Sequence, residues 1–450
     1  MDDRKLKLAF SGGGFRATYY CLGAFRRLVE LGLWKNVSRI DSVSGGSIAA
    51  GAILAALKDG DFKDVDDFDK RVTVSLKNFG QLGLREMITR RWLIFLLIIH
   101  AIVFCILTSQ MHISWFLSLP ISLALFLLIF FLVLTNIFSI LFEYFLNKLY
   151  FHDLTMESLN QHANYPEWSA NTTCLNAGAR FRFKQADFGG HRIGVTTDNN
   201  NIKVSFAVAC SACFPPVFAP FKLKTKGRNF YFNWWIPGNK VLNENPPETV
   251  FLTDGGVYDN LGSENIMKGN DPFIILDAGG YFSLWKNKQS FLDFLLIWFK
   301  LQTRILATAL NQVSALRRRL IFSKSQSVGG ATLILGEKIE NYISSPACET
   351  FGKLSKNANN NLPSYEIFDS EVEELVANIR TDLDCFNNVE IELLMYMGAV
   401  KTDIIIKRYL SDWINPSLSG NMPEKPKFSI SEIKGGLKNS DQVRIKLFCK

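Results

Sequence analysis

The sequence predicts an α/β fold with a mainly parallel central sheet covered by helices on both faces. Two observations carry this. Short apolar runs of strand length alternate with longer runs of helical spacing, the order that parallel strands with crossover helices require. The composition is that of a large folded core: 48% of the 450 residues are hydrophobic and 20% are charged, too apolar for a disordered chain.

The elements follow in order. Residues 5–10 read as a strand that runs into glycines. Residues 15–31 have helical spacing, with Cys21, Phe25 and Leu28 on one face. Residues 39–43 form a second strand, and residues 45–57, rich in Ala and Gly, a second helix. Strand candidates follow at 192–197, 202–208, 249–253 and 273–276. A long amphipathic helix is expected over 290–322, a loop at 357–363 and a polar, peripheral tail over 416–450.

One segment departs from this pattern. The mean hydropathy of +0.09 is high for a chain of net charge +8. The excess comes from residues 92–142, 51 residues without an Asp, Glu, Lys or Arg. A bilayer span needs about 20 apolar residues, so the segment predicts a transmembrane hairpin with helices at 92–110 and 115–142. Arg90, Arg91 and Lys148 flank it, while the turn has no Lys or Arg. The positive-inside rule puts both flanks in the cytoplasm. The charged start, MDDRKLKLAF, is unlike a signal peptide. The expectation is an integral membrane protein with both termini and the catalytic domain cytoplasmic. That domain would be discontinuous, 1–90 and 148–415, interrupted by the hairpin.

The eight cysteines are scattered, as reduced thiols would be. The lone pair Cys210 and Cys213 has no second pair beside it and reads as structural. Two glycosylation-like triplets, at Asn36 and Asn171, would go unused in a cytoplasmic chain. The charge is spread along the chain with no nucleic-acid motif, so no nucleic-acid partner is expected. Arg317, Arg318 and Arg319 form one basic cluster, suited to an anionic membrane or to a solvated helix face.

Three segments carry chemistry. Ser11-Gly12-Gly13-Gly14-Phe15-Arg16 follows a strand and opens a helix. Backbone N–H groups there can bind phosphate or a developing oxyanion. The Lys-Ser/Thr ending of a phosphate loop and the spaced glycines of a dinucleotide site are both missing. Ser42-Val43-Ser44-Gly45-Gly46, between strand and helix, fits a nucleophile elbow with Ser44 as nucleophile. Ser42 stands where the elbow has its first glycine. Thr253-Asp254-Gly255-Gly256 puts a carboxylate on a tight turn at a strand end, where Asp254 can serve Ser44 as base.

Together the segments GGGFRA, SVSGGS and DGGVYDNLG, in this order, resemble the patatin-like phospholipase family. The blocks at 209–216 and 275–279 add to the likeness, which covers roughly residues 6–280. The resemblance implies a patatin-like α/β/α sandwich and a Ser44–Asp254 dyad with no catalytic histidine. His100, His112, His152, His162 and His191 fit this, since none lies in a strand-end glycine motif. It also implies an oxyanion hole at Gly12, Gly13 and Gly14, and Arg16 on the substrate phosphate or steadying the loop. No metal or cofactor is needed. The expected activity is hydrolysis of phospholipid or lysophospholipid esters at the bilayer. The alternatives are a neutral-lipid lipase or thioesterase, and a catalytically silent membrane scaffold.

Overall fold

The computed structural model describes residues 6–83, 98–109, 114–160, 165–198, 201–234, 236, 238–280, 291–343, 346–356, 358, 365, 370–413 and 423–427. Within these, β1 (Leu6–Phe10) leads through a glycine turn into helix α1 (Gly14–Glu30), and β2 (Val37–Val43) leads directly into α2 (Gly45–Leu57). The remaining strands are β3 (Glu167–Cys174), β4 (Ala179–Lys184), β5 (Phe188–Gly190), β6 (Gly194–Thr196), β7 (Phe221–Lys224), β8 (Tyr231–Phe232), β9 (Val241–Leu242), β10 (Thr249–Asp254), β11 (Phe273–Asp277) and β12 (Gly330–Ile334).

They join in one sheet of order β12-β11-β1-β2-β3-β4-β5-β6-β8-β9, with β10 on β3 and β7 on β10. The sheet is mixed, which corrects the expectation of a mainly parallel one. β12, β11, β1, β2 and β3 run parallel. From β3 onward every pairing is antiparallel, as is β10 on β3. The reason is connection length: β3, β4, β5 and β6 are joined by three or four residues each, too few for a parallel crossover. Burial follows pairing. β1 and β11 are buried throughout, whereas β4 alternates buried with half-exposed positions.

Residues 202–208, expected as a strand, lie mostly in the helix Val204–Ala212. That helix is buried nearly all round, so its sequence has no amphipathic period to distinguish it from a buried strand. The helix expected over 290–322 runs over Phe291–Val328. The loop expected at 357–363 falls almost entirely outside the described residues.

α1 packs along the helix Asn388–Arg408 at very short range. A Cβ on Gly23 would lie 2.0 Å from the Met395 carbonyl oxygen, and one on Gly398 2.1 Å from that of Tyr20. Between the same helices Arg27 and Asp403, both fully buried, pair at 2.6 Å. Removing one partner of such a pair typically costs about 3–5 kcal/mol. The part of the C-terminal tail at 423–427 is tied here as well: Arg27 donates to the carbonyls of Pro423 and Lys425. The rest of 416–450 lies outside the described residues.

The transmembrane hairpin is not supported. Among the described residues no helix is long and apolar enough to cross a membrane. Helix is described at 98–109 and over Trp115–Leu146, while 92–97 and 110–113 lie outside the described residues. The second helix runs past the expected exit at 142 into the hydrophobic core. Phe142 and Leu146 are fully buried, Phe142 packs on Phe218, and Ser139 donates to the Ala219 carbonyl at 2.7 Å. The apolar run is thus partly core. Its other end does carry exposed apolar side chains, among them Ile98, Ile102, Ile106, Trp115, Phe116 and Leu117.

Candidate active site

The ends of β1, β2 and β10 bring the three glycine-rich segments to one place. Ser44 follows β2 at φ 52° and ψ −125°, a conformation that costs a non-glycine residue of order 1–3 kcal/mol. It is held by its surroundings. Its N–H donates to the carbonyl and the hydroxyl oxygen of Ser211, at 3.1 and 3.0 Å. A Cβ on Gly45 would lie 1.8 Å from the Gly14 carbonyl oxygen, and one on Gly46 2.5 Å from that of Phe10. Only glycine lets α2 start this close to β1 and the oxyanion loop.

Ser42, at the position of the elbow's first glycine, fits without opening the turn. It is fully buried, accepts from the Trp168 indole N–H at 2.8 Å and lies 2.9 Å from the Ser47 hydroxyl. Ser47 in turn meets Ser211 at 2.8 Å, and Ser211 donates to the Asn171 carbonyl at 2.7 Å. This serine chain braces the elbow from below. Ser211 belongs to the block at 209–216, whose part in the site depends on contacts 164 to 167 residues apart.

Asp254 ends β10 and is almost fully buried. Its Oδ1 accepts from the Gly256 N–H at 2.6 Å, while Oδ2 has no hydrogen-bond partner among the described residues. Burial pushes its carboxyl up to about 7, against the smaller, lowering influences of the Gly256 N–H and the Ser44 hydroxyl. Ser44 therefore faces the carboxylate closely enough to favour its charged form, without a well-aligned hydrogen bond onto Oδ2. Five residues on, Asp259 is structural: it accepts from the N–H groups of Leu261, Ser263 and Glu264 and pairs with Arg317 at 3.3 Å.

The three glycines of the oxyanion loop are not equivalent. The Gly12 N–H donates to the Asn260 carbonyl at 2.9 Å, so it is already satisfied. Gly13 and Gly14 stand at the N-terminus of α1, where backbone N–H groups lack helical acceptors. Both line the cavity that also contains Ser44 and Asp254. Arg16 does not line it. Its guanidinium, 3% exposed, donates to the carbonyls of Ala278, Ala377 and Ile379 at 2.5–3.2 Å. These bonds turn the guanidinium to the backbone at 278 and 377–379 and away from the cavity.

The cavity has a volume of about 460 Å³. Phe138, Phe214, Val217, Phe218 and Leu310 give it apolar walls, and Asn260, Asp277 and Arg318 add polar groups. Phe214, Asn260 and Asp277 fall in segments singled out from the sequence, whereas Phe138, Val217, Phe218, Leu310 and Arg318 were missed. Phe138 was hidden in the apolar run, and Arg318 in a basic cluster read as surface charge. Arg317 and Arg318 instead pair with acidic groups of the core, Arg318 with Asp277 at 2.5 Å. No histidine is among the described residues that line the cavity, and His152 and His191 are exposed. Cys210 and Cys213 are buried, and burial pushes both thiols well up. Among the described residues no group of three His, Cys, Asp or Glu could hold a metal ion.

A family model described as patatin-like phospholipase matches residues 8–264. No curated protein matches the chain. Among solved structures, human GIVD cytosolic phospholipase A2 aligns over 94% of this chain at 10% identity, with a TM-score of 0.48. Its complex with methyl gamma-linolenyl fluorophosphonate aligns over 90% at 12% identity, with a TM-score of 0.43. VipD from Legionella pneumophila aligns over 68% at 14% identity, with a TM-score of 0.27. The chain spans 61%, 58% and 56% of the length of the chains in these three structures.

Proposed function

Because the chain belongs to the patatin-like phospholipase family, we propose that it hydrolyses carboxylic esters of phospholipids or lysophospholipids through an acyl-Ser44 intermediate. One observation carries this reading. A serine held at positive φ shares an apolar-walled cavity with a buried carboxyl raised to about 7. An ordinary carboxylate, with a pKa near 3.9, is too weak a base for a serine hydroxyl; one raised towards the working pH is well matched to proton transfer.

The steps follow from the groups present. Ser44 Oγ attacks the ester carbonyl carbon while its proton passes to Asp254. The carbonyl oxygen becomes an oxyanion and takes the N–H groups of Gly13 and Gly14; losing one such donor typically costs about 3–4 kcal/mol. The ester C–O bond breaks, and the leaving alcohol takes the proton from Asp254. Water, giving its proton to Asp254, then attacks the acyl carbon, and Ser44 regains a proton as the fatty acid leaves. Phe138, Phe214 and Phe218 offer the acyl chain an apolar wall. The exposed apolar side chains near Ile98–Ile106 and Trp115–Leu117 meet the lipid surface, on the cytoplasmic side, and the bilayer is both partner and substrate source.

Purified protein and its Ser44→Ala variant, given a panel of phospholipids, lysophospholipids, monoacylglycerols and acyl thioesters, test the reading. Fatty acid release by the parent, lost in Ser44→Ala, is expected. Equal release from both would remove Ser44 as nucleophile, and release from neutral esters alone would favour a neutral-lipid lipase. Flotation with vesicles, reduced by Trp115→Ser with Phe116→Ser, tests the lipid contact.

A further inference from the structure

Arg16 has its guanidinium committed to backbone carbonyls, so the substrate's anionic group needs another partner. Arg318 is the only cationic side chain among the described residues that line the cavity. It lies on the helix Phe291–Val328, remote in sequence from all three glycine motifs, and its side chain is 39% exposed.

Its hydrogen bonding is lopsided. Nε and Nη2, on one edge of the guanidinium, both donate to Asp277 Oδ2, at 2.9 and 2.5 Å. Asp277 is itself fixed, almost fully buried at the end of β11 and accepting from the Gly279 N–H at 3.0 Å. Nη1 has no acceptor among the described residues. A guanidinium has five N–H donors on two usable edges and can bind a second oxyanion with its free edge while a carboxylate holds the first. Asp277 thus orients Arg318 and leaves its outer edge for a ligand.

We propose that Arg318, oriented by Asp277, binds the phosphodiester of a phospholipid whose ester lies at Ser44. This deepens the acyl hydrolase reading and rests on it for the identity of the substrate. It makes Arg318 a specificity-determining residue: a neutral acylglycerol brings nothing to the free edge.

Two measurements test this. The first is the ratio of kcat/KM for lysophosphatidylcholine to that for monoacylglycerol, in the parent, Arg318→Gln and Arg318→Lys. A charge-assisted contact corresponds to a fall in this ratio of about 10- to 100-fold in Arg318→Gln. Lysine keeps the charge and can pair with Asp277 but has no fork, so Arg318→Lys should also fall. An unchanged ratio in Arg318→Gln, or full rescue by Arg318→Lys, overturns the proposal and leaves Arg318 as a latch on Asp277.

The second measurement needs no turnover. Full-length Ser44→Ala protein is titrated with hexadecylphosphocholine, hexadecylglycerol and glycerophosphocholine, with and without Arg318→Gln. Arg318→Gln should weaken hexadecylphosphocholine binding by a similar factor and leave hexadecylglycerol binding unchanged. Equal weakening of the neutral ether, or glycerophosphocholine binding as tightly as the lipid, overturns a lipid head-group site. If hexadecylphosphocholine binds through Arg318 but the parent releases no fatty acid, the hydrolase reading fails and the subsite stands.

Discussion

Gly12 donates its backbone N–H to the carbonyl of Asn260, 2.9 Å away, and so ties the oxyanion loop to the turn that follows Asp254. The Asn260 side chain fills the space beside both glycine turns: its Oδ1 would lie 2.3 Å from a Cβ on Gly12 and 2.7 Å from one on Gly256. Asn260 thus links the turn at Gly12 to the turn at Asp254–Gly256, and under the proposed mechanism a change in either turn shifts both the oxyanion donors and the base. Gly12→Ala is therefore expected to lower kcat at least tenfold with little change in KM, measured on a soluble short-chain ester.

Asp254→Asn should reduce fatty acid release by three orders of magnitude or more, as loss of a group from a nucleophile–base unit does. The same change should stabilise the protein at high pH. The folded carboxyl, at about 7, lies above its unfolded value, so the folded state binds the extra proton between about pH 4 and 7. Its stabilising contribution is full below pH 4 and is lost as pH rises through 7. Thermal melts at pH 5 and pH 8 check this: Asp254→Asn should gain more over the parent at pH 8.

Activity should rise as pH passes through about 7 and then level off, because attack needs the charged form of Asp254. A profile of kcat/KM from pH 5 to 9 on a non-ionising ester shows it. A limb near pH 4 instead would mean that substrate-free Asp254 is not the base that titrates.

Arg16→Ala removes four donated hydrogen bonds to three carbonyls and leaves those carbonyls buried. A loss of a few kcal/mol is expected, visible as a lower urea midpoint. The discrimination between phosphorylated and neutral lipids should stay as in the parent. A selective loss on phospholipids would return Arg16 to the substrate.

Gly45→Ala puts a methyl group 1.8 Å from the Gly14 carbonyl oxygen, a backbone atom that cannot swing away. Opening the elbow to admit it separates Ser44 from the loop. Activity should fall by at least a hundredfold, while circular dichroism still reports a folded chain or, if α2 cannot dock, a lowered melting temperature.

The chemistry-bearing turns were legible because they are local. A glycine run after a strand, a serine between small residues and an Asp-Gly-Gly turn each impose their backbone shape within a few residues, and Gly45 and Gly46 could be nothing else. The helix Val204–Ala212 was not legible, because burial on every side erases the period that distinguishes helix from strand. The apolar run 92–142 has a composition that a bilayer and a protein core satisfy equally, and the tertiary structure puts its end, Ser139 and Phe142, in the core.

By itself, then, the sequence determined the turns that present Ser44, Asp254, Gly13 and Gly14, the groups to which the proposed chemistry is assigned. Only the tertiary structure decided what surrounds them. It bound the Gly12 N–H to the Asn260 carbonyl, turned Arg16 inward to three carbonyls and brought Arg318 to the cavity through Asp277, 41 residues away. The physical reason is that a turn is specified by its own few residues. A hydrogen-bond partner or a cavity wall is specified by whichever distant segment packs there, and no local pattern records it.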